Sequence, residues 1–243
     1  MKDQVHEEPR IVAFAERRMQ NWVQREQAQD REALSAVKPA PRVSIGPYIT
    51  ISREAGAGGS EIAQLLGEKL GWEVLDKNLL DNMADRYHLS KEMLSLVDET
   101  PGNWVYDVLG TWMNPALIPH EKYVVRLGRV VLAAARCGKV ILVGRGARFL
   151  LPPKGLAVRI IAPLAYRVHH IMEQKGVTAA AARTWVENAD RERHDFVRRY
   201  FRRDVADPHL YDVVINVEPI GRQCAVQTIV TALGCEGRCG ERH

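Results

Sequence analysis

No stretch of this 243-residue chain approaches the roughly 18 to 20 uninterrupted apolar residues that a membrane-spanning helix needs. Nor does the opening segment, Met1 to Arg10, carry the apolar run of a secretory leader, because Asp3, Glu7 and Glu8 stand in it. Cysteine is scarce as well. Cys137, Cys224, Cys235 and Cys239 are too few and too unevenly placed to staple a chain of this length, so the expectation is a cytoplasmic protein in a reducing environment. Internal repeats and long low-complexity tracts are missing, which excludes solenoid and fibrous architectures. What is present is a 46% hydrophobic, 26% charged composition, ordinary for a globular chain with one large domain or two small ones.

The net charge is +4, and a single segment accounts for it. Between Arg191 and Arg203 stand six arginines against two acids, while the rest of the chain sums to zero. Basic charge gathered this locally points to an anion site more than to a broad nucleic-acid surface.

The chain begins with a charged segment, about Pro9 to Val37, in which Ile11, Ala15, Met19, Trp22 and Val23 recur at helical spacing. Pro39 and Pro41 stop that helix, so residues 1–42 read as an appendage with a stiff linker. From Tyr48 onward, apolar β-branched runs alternate with helical patterns. Strands are expected at Tyr48 to Ser52, Trp72 to Leu75, Val140 to Val143, Leu156 to Ile161 and Val213 to Val217, each apolar enough to be buried on both faces. Helices are expected at Ser60 to Leu70, Lys77 to Tyr87, Glu121 to Cys137 and Leu164 to Lys175, with a further one after Thr178 as N-cap; Gly71, Gly138 and Gly176 supply stops. This alternation predicts a three-layer α/β sandwich on a parallel sheet, with ligands at the carboxyl ends of the strands.

After the first strand comes Arg53-Glu54-Ala55-Gly56-Ala57-Gly58-Gly59-Ser60, followed by a helix. Glycines let successive amides face one point, and the helix N-terminus adds partial positive charge, which suits a phosphate. Set against the pattern G-x-x-x-x-G-K-[ST], Arg53 stands at the first Gly, Gly59 at the Lys and Ser60 at the hydroxyl. A Gly-rich turn that binds nothing is the alternative. The later strands end in Leu75-Asp76, Val143-Gly144-Arg145-Gly146-Ala147-Arg148 and Ile161-Ala162-Pro163 with Arg167 a turn on. Together these put a carboxylate and several guanidiniums at one sheet edge.

In its order of motifs, including the closing Tyr211-Asp212-Val213-Val214-Ile215-Asn216, the chain resembles the bacterial cytidylate kinases, and more closely the divergent cytidylate kinase-like proteins. The resemblance covers about Tyr48 to Leu233. It implies a P-loop nucleoside monophosphate kinase-like fold with a five-stranded parallel sheet and a helical lid, residues 43–234 forming the kinase-like domain. It also implies ATP as phosphoryl donor with Mg²⁺, and nucleotides as substrates. Carried onto this sequence, Gly56, Ala57, Gly58, Gly59 and Ser60 would wrap donor phosphates with Arg53 beside them, and Ser60 would meet Mg²⁺. Asp76, Arg145 and Arg148 would serve the acceptor, and Arg191, Arg193, Arg198 and Arg202 would fall in a lid spanning residues 178–206.

Arg191, Arg198 and Arg202 are spaced seven and four apart, which puts them on one helix face where they can meet charge on a transferring phosphoryl group. A solvated helix with local ion pairs is the plainer alternative. For the cation missing with the lysine, the lid arginines Arg198 and Arg202 are favoured over Arg53, whose side chain would pair with a carboxylate such as Glu54 or Asp76. The connection 98–120, with Trp104, Tyr106 and Trp112, reads as a cover for the acceptor base, or as a dimer or partner contact like the N-terminal helix. Cys235, Cys239 and His243 offer three metal ligands without a fourth. The single histidines read as surface or core residues. A nucleotide-binding module without turnover stands as the second functional reading, with single-stranded nucleic-acid binding a weaker third.

Overall fold

The computed structural model describes residues 45–86 and 119–236, with Arg17 alone before them in helical conformation. The rest of the expected N-terminal helix and the proline linker, the Trp104/Trp112 connection, and Cys239 and His243 of the candidate metal cluster lie outside the described residues. Two compact units emerge, Met1–Gly46 with Lys77–Gly138, and Pro47–Asp76 with Lys139–His243.

The second unit holds the sheet. Its strands are β1 (Tyr48–Arg53), β2 (Glu73–Leu75), β3 (Val140–Val143), β4 (Leu156–Ile161) and β5 (Val213–Asn216), in the spatial order β2-β3-β1-β4-β5. Every pairing is parallel, with Ile51 opposite Val143 on one side and Val158 on the other. The β1, β3 and β4 runs are buried almost throughout, as strands covered on both faces must be. The outermost strands depart from that expectation. Only Leu75 of β2 and Ile215 of β5 are buried, because an edge strand lacks the neighbour that would cover it.

Helix α1 (Gly59–Leu70) returns from β1 and ends at Gly71, whose left-handed backbone (φ 65°) closes the last turn on Gly67. Gly67 itself has no room for a side chain, since a Cβ there would fall 2.5 Å from Val74 Cγ2. Ile62, Ala63 and Leu66 of α1 join Ala225, Val226 and Ile229 of α7 (Val217–Glu236), together with the apolar residues of the sheet, in one core cluster. A kink at Gly221 (φ 74°) lies near the start of α7. The remaining helices of this unit are α4 (Ala147–Leu150), α5 (Leu164–Lys175) and α6 (Ala179–Phe201). Thr178 caps α6 as expected, accepting from the Ala181 amide. A second, smaller cluster of Ala55, Ile171, Ala182 and Val186 fastens α5 and α6 to the loop after β1.

In the first unit, α2 (Lys77–Arg86) packs on α3 (Pro119–Cys137), and the Tyr123 hydroxyl donates to Asp81 at 2.6 Å. No helix among the described residues is long and apolar enough to cross a membrane.

Leu66 is fully buried between α1 and the sheet. Leu66→Ala is expected to destabilise the protein by roughly 2–5 kcal/mol, read as a lower denaturant midpoint, through lost burial and the cavity left behind. An unchanged midpoint would show that this cluster does not hold the sheet.

Candidate phosphate-binding site

Two backbone hydrogen bonds fix how the chain leaves β1. The Gly144 amide donates to Ile51 O at 3.0 Å from the β3 side, and the Glu54 amide donates to Ile160 O at 3.0 Å from the β4 side. The loop that follows turns through Gly56 (φ 79°) and Gly58 (φ 77°), a left-handed backbone that favours glycine, and opens directly into α1. Gly58 is the N-cap and offers no side-chain cap, so the first amides of a twelve-residue helix are available to an anion.

Side chains from α5 and α6 brace this loop. Asp190 accepts from the Ala55 amide at 2.7 Å and pairs closely with Arg167, whose Nε also donates to Ala162 O at 2.8 Å. Glu54 accepts from the Ala162 amide at 3.1 Å and lies 3.4 Å from Arg167 Nε, with the buried Arg159 at 4.0 Å. On the other flank His170 Nδ1 donates to Gly56 O at 2.8 Å, which requires the proton on Nδ1 and leaves Nε2 to accept from Arg222 Nη2 at 2.7 Å. Arg222 also fills the space over Gly58, where a Cβ would lie 2.8 Å from its Nε, an atom that is buried and has no hydrogen-bond partner.

Arg53 shares that condition, with a buried Nε lacking a partner. Burial pulls its pKa down to about 9, helped by the neighbouring charges of Arg193 and Arg145 and opposed by Asp76. Arg193, which donates to Arg53 O at 3.1 Å, is also held below the ordinary arginine range, first by burial, with Asp190 and Glu192 opposing and Arg145 and Arg159 adding to the shift. Three guanidiniums are thus gathered beside one phosphate-type loop. The pairing of Arg53 with Glu54 is not what the structure shows, because Glu54 is taken by Ala162, Arg167 and Arg159. Asp76 acts on Arg53 at the level of charge.

The other expected residues are placed as follows. Arg145 stands just past β3 in a left-handed conformation (φ 50°), its guanidinium 5.3 Å from the centre of the Phe196 ring. Arg148 donates through Nε to Leu210 O at 3.1 Å. Ser60 is exposed in the first turn of α1. Arg191, Arg198 and Arg202 are exposed, and Arg198 and Arg202 line an open concavity of about 420 Å³ with His194, Arg203 and Asp204. The helix ends at Phe201, and Arg202 is its left-handed C-cap (φ 52°), its amide turned back onto Arg198 O. Phe201 stacks on Phe149 and sits so close to Gly146 that a Cβ there would strike its ring, which fixes where the helix stops.

The sequence places Arg193 with the lid arginines and His170 among surface or core residues, and it gives no role to Arg222. A signal for the inward position of Arg193 existed, since it continues the stripe Ala182, Val186, Ala189, Val197 that α6 turns inward. Arg222 stands just beyond the last strand, at the edge where ligand-binding residues are expected. Among the described residues no cluster of His, Cys, Asp or Glu is arranged to hold a metal by itself.

A parallel five-stranded sheet whose central strand feeds a glycine loop and a helix N-terminus, flanked by arginines, is an α/β phosphate-binding fold of the P-loop kind. The chain belongs to the cytidylate kinase-like family, whose model matches residues 48–219. It is 24% identical over 183 residues to a cytidylate kinase of Ignicoccus hospitalis, covering 74% of this chain and 95% of that one. With a cytidylate kinase of Thermococcus kodakarensis it shares 23% identity over 198 residues, 79% of this chain and 92% of the relative. In fold it is similar to an uncharacterized protein from Eubacterium ventriosum, with a TM-score of 0.63, 24% identity, and coverage of 77% of this chain and 98% of that structure.

Two outcomes are expected of this geometry. Asp190→Ala removes the acceptor of the Ala55 amide and leaves Arg167 without its closest carboxylate, so thermal unfolding should shift down by the equivalent of about 1–3 kcal/mol. A wild-type melting curve would show that Asp190 does not brace the loop. For Arg53 the folded pKa lies below the ordinary value, so above about pH 9 the unfolded chain keeps a proton that the folded chain sheds. Its destabilising effect is therefore complete below about pH 9 and shrinks as pH rises beyond it. Arg53→Met should melt higher than wild type at pH 7 in anion-free buffer, with the gap narrowing at pH 10; a gap that widens contradicts the assignment.

Proposed function

We propose that this protein transfers the γ-phosphoryl group of ATP to a nucleoside monophosphate or a similar small phosphorylated acceptor. The observation that carries the reading is the convergence of a helix-opening glycine loop with Arg53, Arg145 and Arg193, a cluster of positive charge whose complement is a phosphate chain. The names of the relatives and the family membership support the same class of chemistry.

In this reading the amides from Gly56 to Ser60 hold the donor phosphates. Arg145 and Arg148, with Asp76, face the acceptor, and Arg191, Arg198 and Arg202 belong to a lid over residues 178–206. Mg²⁺ needs few protein ligands beside nucleotide phosphates and water, and the exposed Ser60 hydroxyl at the head of α1 is a hard oxygen donor of the kind it takes. When bound there, the ion neutralises phosphate charge. The protein's part is positioning and fixed charge: the loop sets the donor, Asp190 and Arg167 hold the loop, and the lid arginines approach the transferring group when water is excluded.

The deciding experiment mixes pure protein with ATP, Mg²⁺ and each nucleoside monophosphate in turn and follows diphosphate formation. Product with at least one acceptor is expected. Binding of ATP without product from any acceptor overturns the kinase reading in favour of a nucleotide-binding module. Given turnover, Arg198→Ala or Arg202→Ala should lower kcat roughly 10²-fold while leaving ATP affinity nearly unchanged, as loss of a contact made in the transition state does. Unchanged turnover in both would remove the lid arginines from the chemistry. Gly58→Val should abolish ATP binding, since its left-handed backbone and the Arg222 side chain leave no place for a Cβ.

A further inference from the structure

We infer that Arg53 supplies, from the end of β1, the fixed cation that a loop of this pattern otherwise carries as lysine at position 59, and that Gly59 is a glycine because the Arg53 side chain lies against it, as it does against Gly144, whose left-handed backbone (φ 81°) favours glycine in its own right. The inference rests on the phosphate-binding role proposed above and adds to it the residue that meets the β and γ phosphates.

Space is the first argument. A Cβ on Gly59 would fall 2.6 Å from Arg53 Cβ and 2.8 Å from its Cγ. The volume through which a lysine at 59 would leave the backbone is the volume that the Arg53 stem uses. At its far end the side chain passes Gly144, where a Cβ would coincide with Arg53 Nη1. Gly144 follows β3, the strand hydrogen-bonded to β1, so the guanidinium ends at the same carboxyl edge of the sheet as the loop. Two glycines from different strand ends therefore form one slot for one arginine.

Charge is the second. A guanidinium placed for structure alone takes carboxylate or carbonyl partners on its buried N–H groups. Here the adjacent carboxylate, Glu54, is turned to the Ala162 amide and Arg167, and Arg53 Nε is buried without a partner. The charges of Arg193 and Arg145 oppose its own, and that of Asp76 favours it. An anion restores the balance. Even with its pKa lowered to about 9, Arg53 is charged at neutral pH, and its planar fork of donors suits phosphate oxygens.

In the transfer an acceptor phosphate oxygen, already ionised, bonds to the γ-phosphorus. The bond from that phosphorus to the β,γ-bridging oxygen breaks, and its electron pair stays on the β phosphate of ADP. Negative charge grows on that oxygen, and a cation fixed beside the loop meets it without reorganising.

The test compares ATP with AMP, which lacks the β and γ phosphates, by calorimetry on wild type, Arg53→Met, Arg53→Lys and the pair Arg53→Gly and Arg53→Gly/Gly59→Lys. Arg53→Met keeps most of the stem and should lose roughly 10- to 100-fold in ATP affinity, the scale of one charge-assisted contact, while AMP affinity holds. Arg53→Lys should fall between it and wild type. Wild-type ATP affinity should decline above about pH 9 and that of Arg53→Met should not, because only the former loses a proton there. Gly59→Lys in the Arg53→Gly background, which removes the Cβ that a side chain at 59 would strike, should regain at least tenfold in ATP affinity, whereas Gly59→Lys alone, forced against Arg53, should lower the melting temperature. An unchanged ATP-to-AMP affinity ratio in Arg53→Met, or no regain in the double variant, overturns the inference. Wild type that binds ATP without phosphorylating any acceptor overturns the kinase reading only, and the affinity ratio still decides on Arg53. Wild type that binds no ATP overturns both.

Discussion

The geometry of the site hangs on the end of β1. That strand is held on both sides at once, by the Gly144 amide on Ile51 O and by the Glu54 amide on Ile160 O. Because both bonds are made at the last residues of the strand, the loop begins from a backbone with no freedom of its own. Arg53 is thereby aimed toward β3 while Glu54 meets the end of β4. A slip in register at either pairing would exchange those directions, since alternate residues of a strand face opposite sides of the sheet. The core of Ile49, Ile51, Ile141, Val143, Val158 and Ile160 resists such a slip.

The loop is also tied to helices that lie far ahead in the sequence. Asp190 of α6 takes the Ala55 amide, Arg167 of α5 meets Asp190, and His170 of α5 takes up Gly56 O and Arg222 of α7 in one ring. These bonds fix the glycine turns, which would otherwise be costly to hold in one conformation. Beside them the partly buried Arg53, Arg193 and Arg145 lie close enough for their charges to oppose one another.

Much of this was legible in the sequence. Five apolar β-branched runs separated by helical patterns carry the parallel α/β fold, and the strand ends locate the loop, Asp76, Arg145 and Arg167. Thr178 and the glycines at 71, 138 and 176 mark helix ends because capping is local chemistry. What was hidden is what arises only when distant segments meet. Nothing near Glu54 in the chain announces that it faces the Ala162 amide and not Arg53. Arg193 is grouped by its charge with the lid arginines, whereas the apolar stripe of α6 that includes it turns it toward Arg53 O. The end of that helix at Phe201, one residue short of Arg202, coincides with packing of Phe201 on Phe149 and against Gly146, some fifty residues earlier, which no local pattern announces.

The slot formed by Gly59 and Gly144 has a consequence for how such a loop can change over generations. Lysine at 59 and arginine at 53 claim the same space, so a chain carrying both is overfilled, and a chain carrying neither lacks the cation set between the two strand ends. Every route between the two arrangements by single substitutions passes through one of these states. If Arg53 holds the phosphate role inferred above, a change at either position is viable only with a matching change at the other.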